Sequence, residues 1–179
     1  MKFLVYSAFT MTSLIMFSEN VYCQDSLAPS SYIVQKEIYT NLMGFEIDTM
    51  LNTKLYHTIS DWLFTGYCFG GNSKDGIDCS DFSSELYDKA YHIKIDGSSA
   101  SMYTKVKKLN KEELTEGDFV FFRINKNRIS HVGVYLSKNK FAHATVKSGV
   151  IISDLNEDYY KKYFVGGGRL LPEYCIYEK

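Results

Sequence analysis

One cysteine and two histidines stand in contexts suited to nucleophilic catalysis. Cys79 closes a glycine-rich stretch, Gly70-Gly71-Asn72-Ser73-Lys74-Asp75-Gly76-Ile77-Asp78-Cys79-Ser80, and opens a segment in which Phe82, Leu86 and Ala90 recur near a helical period. A thiol at a helix N-terminus meets unpaired backbone N–H groups and the positive end of the macrodipole. Both favour the thiolate, the form that attacks carbonyls. Such a nucleophile needs a base beside it and often a third group to orient that base. Of the four histidines, His57 and His92 fall in helix or helix-end contexts and read as structural. His131 and His143 sit instead in strand-like runs, Ser130-His131-Val132-Gly133-Val134 and Phe141-Ala142-His143-Ala144, joined by a short polar turn. Side chains alternate along a strand, so a hairpin centred near Ser137 puts both rings on one face as cross-strand neighbours. One can then face Cys79 while the other holds its partner's ring. The cysteine and histidine spacing is not that of a zinc site, there is no Cys-x-x-Cys pair, and no metal or other cofactor is called for.

Those three residues must be brought together by elements that the pattern also outlines. Asp25 to Ser31, with Pro29, reads as a polar linker, and Tyr32 to Leu63 mostly as helix. Gly66 to Gly76 is a loop, Cys79 to about Tyr91 a helix, and Gly97 to Ser101 a polar connector. The remainder is strand-like: Phe119 to Phe122 after the Gly117-Asp118 turn, Ile129 to Leu136, Phe141 to Val146, Gly149 to Ile152, and Arg169 to Leu171 following Gly166-Gly167-Gly168. Helices first and strands after predict an α+β domain with N-terminal helices packed on a central antiparallel sheet.

A chain of 179 residues, 45% hydrophobic, suits one globular domain. A formal net charge of −1 implies neither a nucleic-acid binder nor a polybasic membrane binder. The 15 tyrosines and 12 phenylalanines fit an aromatic core, and also a groove for a sugar or peptide. Lys2, the apolar run from Phe3 to Phe17 and the break at Ser18-Glu19-Asn20 have signal-peptide proportions, the run being shorter than the about 20 residues of a membrane span. Residues 1–23 are therefore expected to be an export signal, ending at Val21-Tyr22-Cys23 by cleavage or serving a lipid anchor at Cys23. Export would place the protein in the periplasm, against an outer membrane, or outside the cell. Cys68, Cys79 and Cys175 remain after cleavage. An odd count in an exported chain points to one free thiol, with Cys68 and Cys175 either paired or separate.

Taken together, these pieces resemble the NlpC family of bacterial cell-wall peptidases, which are papain-like cysteine peptidases. The resemblance is carried by Trp62 and Tyr67, Gly70-Gly71, Gly76-Ile77-Asp78-Cys79-Ser80, Gly117-Asp118-Phe119-Val120-Phe121-Phe122, His131-Val132-Gly133-Val134-Tyr135 and Phe141-Ala142-His143-Ala144, from about Ser60 to Leu171. It implies a catalytic domain over residues 59–174, preceded by a linker and helical segment over 24–58. Cys79 would be the nucleophile, His131 the base and His143 the orienting residue. Tyr67, Asp78 and Ser80 would bind substrate, Tyr67 near the nucleophile and Asp78 also as a helix N-cap. The implied substrate is a peptidoglycan stem peptide, cut between D-glutamate and the following diamino acid. Asp81 stands where the family usually has glycine, and Cys68-Phe69 where it is more polar, which bears on substrate preference. Three other readings are a secreted effector amidase of the same fold, an inactive cell-wall-binding module, and a lipid-directed acyltransferase of the permuted group. The last has its histidine before its cysteine, the reverse of the order here.

Overall fold

The structure is a computed structural model, and it describes residues 29–125 and 127–177. The expected signal segment, residues 1–23 with Cys23, lies outside the described residues.

Helices α1 (Pro29–Met43) and α2 (Thr53–Trp62) replace the single helical run expected from Tyr32 to Leu63. Proline opens α1, where the first turn has no use for its missing N–H. Gly44 ends it at φ +69°, and its N–H donates to the Thr40 carbonyl at 3.1 Å. Asn52 then starts α2, its side chain accepting from the Lys54 and Leu55 N–H groups. Glu116 anchors this junction to the rest of the molecule by accepting from the N–H groups of Leu51 and Asn52 and from the Tyr56 hydroxyl.

A two-residue ribbon of β1 (Asn72–Ser73) and β2 (Gly76–Ile77) folds the glycine-rich loop back on itself. Helix α3 (Cys79–Tyr91) follows, close to the expected span, and His92 ends it at φ 56°. Beyond it come β3 (Ile93–Lys94), α4 (Ser99–Thr104) and β4 (Val106–Leu109). The expected connector at Gly97 to Ser101 is therefore partly helix, because the Ser98 hydroxyl caps α4 through the Ser101 N–H. The strand-rich half holds β5 (Phe119–Phe122), β6 (His131–Tyr135), β7 (Lys140–Thr145), β8 (Gly149–Asp154), α5 (Asp158–Tyr163), β9 (Phe164–Leu170) and β10 (Ile176–Tyr177). Six strands form one antiparallel sheet in the order β4-β9-β5-β6-β7-β8, while β10 pairs with β3. The α+β arrangement is as expected. The triple glycine, however, lies inside β9 rather than ahead of the last strand. A Cβ on Gly167 would collide with the Leu114 side chain, and one on Gly168 with that of Val106, so neighbouring apolar groups occupy that space.

Phe119 and Phe121 pack into a core shared with α2, α3 and α4, including Tyr56, Ile59, Phe82, Leu86 and Met102. Val120 and Phe122 point the other way, into a second cluster with Phe141, Leu155 and Tyr160. Because both faces of β5 are covered, its sequence is an unbroken apolar run rather than an alternation. Helix α2 runs across residue 58 and shares the first core, so the helical segment and the sheet are packed as one body.

Candidate active site

Cys79 is the first residue of α3, and the local backbone is held by Asp78. Asp78 Oδ1 accepts from the Ser80 N–H at 2.8 Å, the Asp81 N–H at 2.9 Å and the Ser80 hydroxyl at 2.8 Å. Its Oδ2 accepts from the Gly70 N–H at 3.0 Å. A second bond, from the Asp78 N–H to the Gly71 carbonyl at 3.0 Å, ties the same loop to the same helix start. Asp78 is thus a buried N-cap that also fixes the glycine loop. Gly71 and Gly76 are required by closeness: a Cβ on either would lie 2.7 Å or less from the Cys68 Cβ or the Gly76 carbonyl oxygen.

Around the sulfur, the backbone N–H groups of Val132, Cys79 and Ser80 lie close enough to favour its anion. Burial opposes them and wins. It pushes the Cys79 thiol up to about 11, and the Asp78 carboxylate adds to the rise. The helix-start argument anticipates the Cys79 and Ser80 donors but neither Val132 nor the net direction, because it takes no account of how little water reaches Cys79, which is 7% exposed.

His131 and His143 meet as a pair. His131 Nε2 lies 2.7 Å from His143 Nδ1. The strand register differs from the expected one by two residues: Val134 opposes Ala142 and Tyr135 opposes Phe141, which puts His143 opposite Gly133 and leaves the histidines diagonal. A slip of two keeps both rings on one face. Their neighbours are apolar: Phe122 beside His131, and Phe141 and Tyr160 beside His143, with ring centroids 5.7, 4.5 and 5.3 Å apart. Burial pushes His131 down to about 4, with Asp78 partly opposing, and holds His143 well below the usual imidazole value, with His131 adding to the fall.

This arrangement can perform acyl transfer by a coupled proton movement. His131 spends Nε2 on His143, so Nδ1 is the nitrogen left to exchange a proton. Burial disfavours the charged form of each group, so a transfer between them would have to move the proton from sulfur to imidazole in one step. The Cys79 N–H lies at the open helix end, whereas those of Asp78, Ser80, Asp81 and Phe82 are committed to Gly71 or Asp78 oxygens. It is therefore placed to donate to an oxyanion formed at an attacked carbonyl.

The other expected site residues fall nearby. Tyr67 bridges to Ile77, two residues before Cys79, and burial, then Cys79 and Asp78, raise its hydroxyl. Ser80 spends its hydroxyl proton on Asp78. Asp81 sits in the first turn of α3, raised by burial, Asp78 and Asp96. Cys68 and Cys175 are both free, the first exposed and the second half-buried. His57 stands on α2 near Asp61, and His92 caps α3. Among the described residues, no group of three or more His, Cys, Asp or Glu side chains is placed to hold a metal ion.

Sequence reasoning missed three contributors: the Val132 N–H, Ser153 and Tyr160. His143 Nε2 lies 2.9 Å from Ser153 Oγ and 3.3 Å from Tyr160 Oη. Ser153 lay one residue past the expected end of its strand, and Tyr160 is on α5, a helix with no evident signal in its Tyr- and Lys-rich run.

Residues 65–169 match the sequence model of the NlpC/P60 family. The chain is 39% identical over 112 residues to the "Probable endopeptidase NlpC homolog" of Haemophilus influenzae, covering 63% of this chain and 59% of that one. It is 34% identical over 121 residues to the "Murein DD-endopeptidase MepS/Murein LD-carboxypeptidase" of Escherichia coli K12, covering 68% and 64%. The matches thus span about three fifths of these relatives' own lengths. Among solved structures, an NlpC/P60 family protein from Bacillus cereus superposes with a TM-score of 0.62 at 29% identity, over 71% of this chain and 42% of that one. With its helices on one antiparallel sheet and these matches, the fold is the α+β, papain-like one, and the chain belongs to the NlpC/P60 family.

Proposed function

We propose that this protein is an exported cysteine endopeptidase that hydrolyses peptidoglycan peptides. The observation that carries this reading is Cys79 at the open start of α3, with the backbone N–H of Val132, the residue after His131, beside its sulfur and His131 hydrogen-bonded to His143. Cys79 Sγ attacks the amide carbonyl as its proton moves to His131 Nδ1. The Cys79 N–H donates to the oxyanion. His131 then returns the proton to the leaving amine, and water cleaves the thioester with His131 as base. His143 orients His131. Tyr67 contributes its hydroxyl to substrate or oxyanion, and Asp78 and Ser80 shape the pocket edge. The family membership, the endopeptidase name of the H. influenzae relative and the murein-directed name of the E. coli relative support a stem-peptide substrate and action outside the cytoplasm.

Two bonds are in contention. The resemblance favours the D-glutamyl–diamino acid bond, whereas the name of the E. coli relative favours a bond between two D-configured residues. Digestion of purified peptidoglycan and of free stem peptides, with products weighed by mass spectrometry, separates them. New fragments ending at D-glutamate support the first. Conversion of cross-linked dimers to intact monomers supports the second. No product from either substrate overturns the peptidase reading and favours a binding module.

A further inference from the structure

The hydrogen-bond chain does not stop at His143. Ser153 Oγ is 2.9 Å from His143 Nε2 and 3.3 Å from Tyr160 Oη, and Tyr160 Oη is 3.3 Å from the same Nε2. Ser153 is on β8 and Tyr160 on α5, and all three residues are buried, His143 completely. Tyr160 is held against Phe122 and Phe141 by edge-on ring contacts, which fix where its hydroxyl lies.

A neutral imidazole donates from one nitrogen and accepts at the other, so its neighbours choose its tautomer. His131 can act as a base at Nδ1 only if its own proton is on Nε2. That proton needs an acceptor, and His143 Nδ1 is the one at 2.7 Å. His143 must then carry its proton on Nε2, and that donor also needs an acceptor among its buried neighbours. Ser153 Oγ supplies it, provided the serine proton is directed elsewhere, and Tyr160 Oη is the group that receives it. The opposite polarity, with Ser153 donating to His143 Nε2, runs back along the chain and puts a proton on His131 Nδ1, where it blocks the base.

We propose that Ser153 and Tyr160 are positioning residues that fix the tautomers of both histidines, so that His131 presents a lone pair to Cys79. The inference rests on the peptidase reading for its effect on turnover, but not for its effect on the rings. When His131 takes the Cys79 proton, its Nε2–H remains donated to His143 Nδ1. His143 stays neutral, and no proton passes to Ser153. The two hydroxyls therefore act before the reaction, by orientation.

The test uses the full chain with 15N-labelled histidine, comparing the wild type, Ser153→Ala, Tyr160→Phe, the double variant and Ser153→Thr. Nitrogen shifts report which ring nitrogen carries the proton, and the alkylation rate of Cys79 reports its reactivity; neither needs a substrate. The wild type is expected to hold both protons on Nε2. Ser153→Ala leaves Tyr160 Oη as a substitute acceptor, so its shift in tautomer is partial. In the double variant His143 moves to the Nδ1–H form and Cys79 alkylation slows. With wall peptide, kcat is expected to fall about tenfold in Ser153→Ala and about a hundredfold in the double variant, the range seen when groups that orient a ligand from behind are removed. KM stays within about twofold, since no substrate contact is lost. Ser153→Thr keeps the hydroxyl and restores the wild-type tautomers. Should threonine not fit, Tyr160→Phe alone is expected to populate the reversed polarity, since the serine proton then has no acceptor but His143. Unchanged tautomers and alkylation in both Tyr160→Phe and the double variant would overturn the proposal. A tautomer shift in a protein that cleaves no wall peptide would sustain it while removing the peptidase reading.

Discussion

His143 stands opposite Gly133 across the β6–β7 hairpin, and a Cβ on that glycine would lie 3.1 Å from the His143 Cβ and 2.8 Å from both the Ala142 carbonyl oxygen and Phe141 Cδ2. A side chain at position 133 would therefore crowd the Ala142 carbonyl, the Phe141 ring and the stem of His143. Gly133→Ala is expected to destabilise the fold by about 1–3 kcal/mol, as overpacking of a filled interior does. It should also lower activity more than the lost stability explains, because the crowded segment, Phe141 to His143, carries the second histidine. Urea unfolding and kcat at a temperature where the variant remains folded check both parts. A variant as stable and active as the wild type would show that the hairpin relaxes freely.

Asp78 bonds both the glycine loop and the first turn of α3. Asp78→Ala removes four hydrogen bonds and leaves the Gly70 N–H without its acceptor. Loss of an N-cap costs about 0.5–2 kcal/mol, and the loop loses its tie to the helix start as well. Asp78→Asn keeps an acceptor for the cap and is expected to recover most of the stability. If Asp78 also contacts substrate, Asn restores Tm but not KM; if it is a cap alone, both return together.

Acid stability follows from the buried histidines. Burial holds His131 down to about 4 and His143 well below the usual imidazole value, whereas both titrate near 6.5 in the unfolded chain. Between those values the unfolded state binds more protons than the folded one, so stability is full above about pH 6.5 and falls as the pH drops toward 4. His131 alone contributes a loss on the order of 3 kcal/mol over the whole window. Denaturation midpoints at pH 7.5 and pH 5 should therefore move closer together in His131→Asn than in the wild type. Equal movement in both would assign the acid sensitivity to other groups.

Much of the site was readable before the structure because its signals are local. The helix from Cys79 announces itself by Asp78 as cap and by Phe82, Leu86 and Ala90 on one face. The histidine strands announce themselves by small neighbours that only a tightly packed hairpin needs. What could not be read depends on contacts between distant segments. The direction of the Cys79 thiol shift is set by how completely β6 and the loop exclude water. The break between α1 and α2 is secured by Glu116, more than sixty residues away. Ser153 and Tyr160 gain meaning only when α5 is laid against β7 and β8, and neither residue type marks itself as part of a site.

The central claim is that Cys79 and His131 together break the peptide bond, and it is tested most directly by digesting purified peptidoglycan with the wild type, Cys79→Ala and His131→Ala under one set of conditions. The reading predicts soluble peptide fragments from the wild type and a fall of at least about a thousandfold in both variants, the scale of losing a nucleophile or its base, with each variant still unfolding cooperatively. Activity in either folded variant within tenfold of the wild type would contradict it.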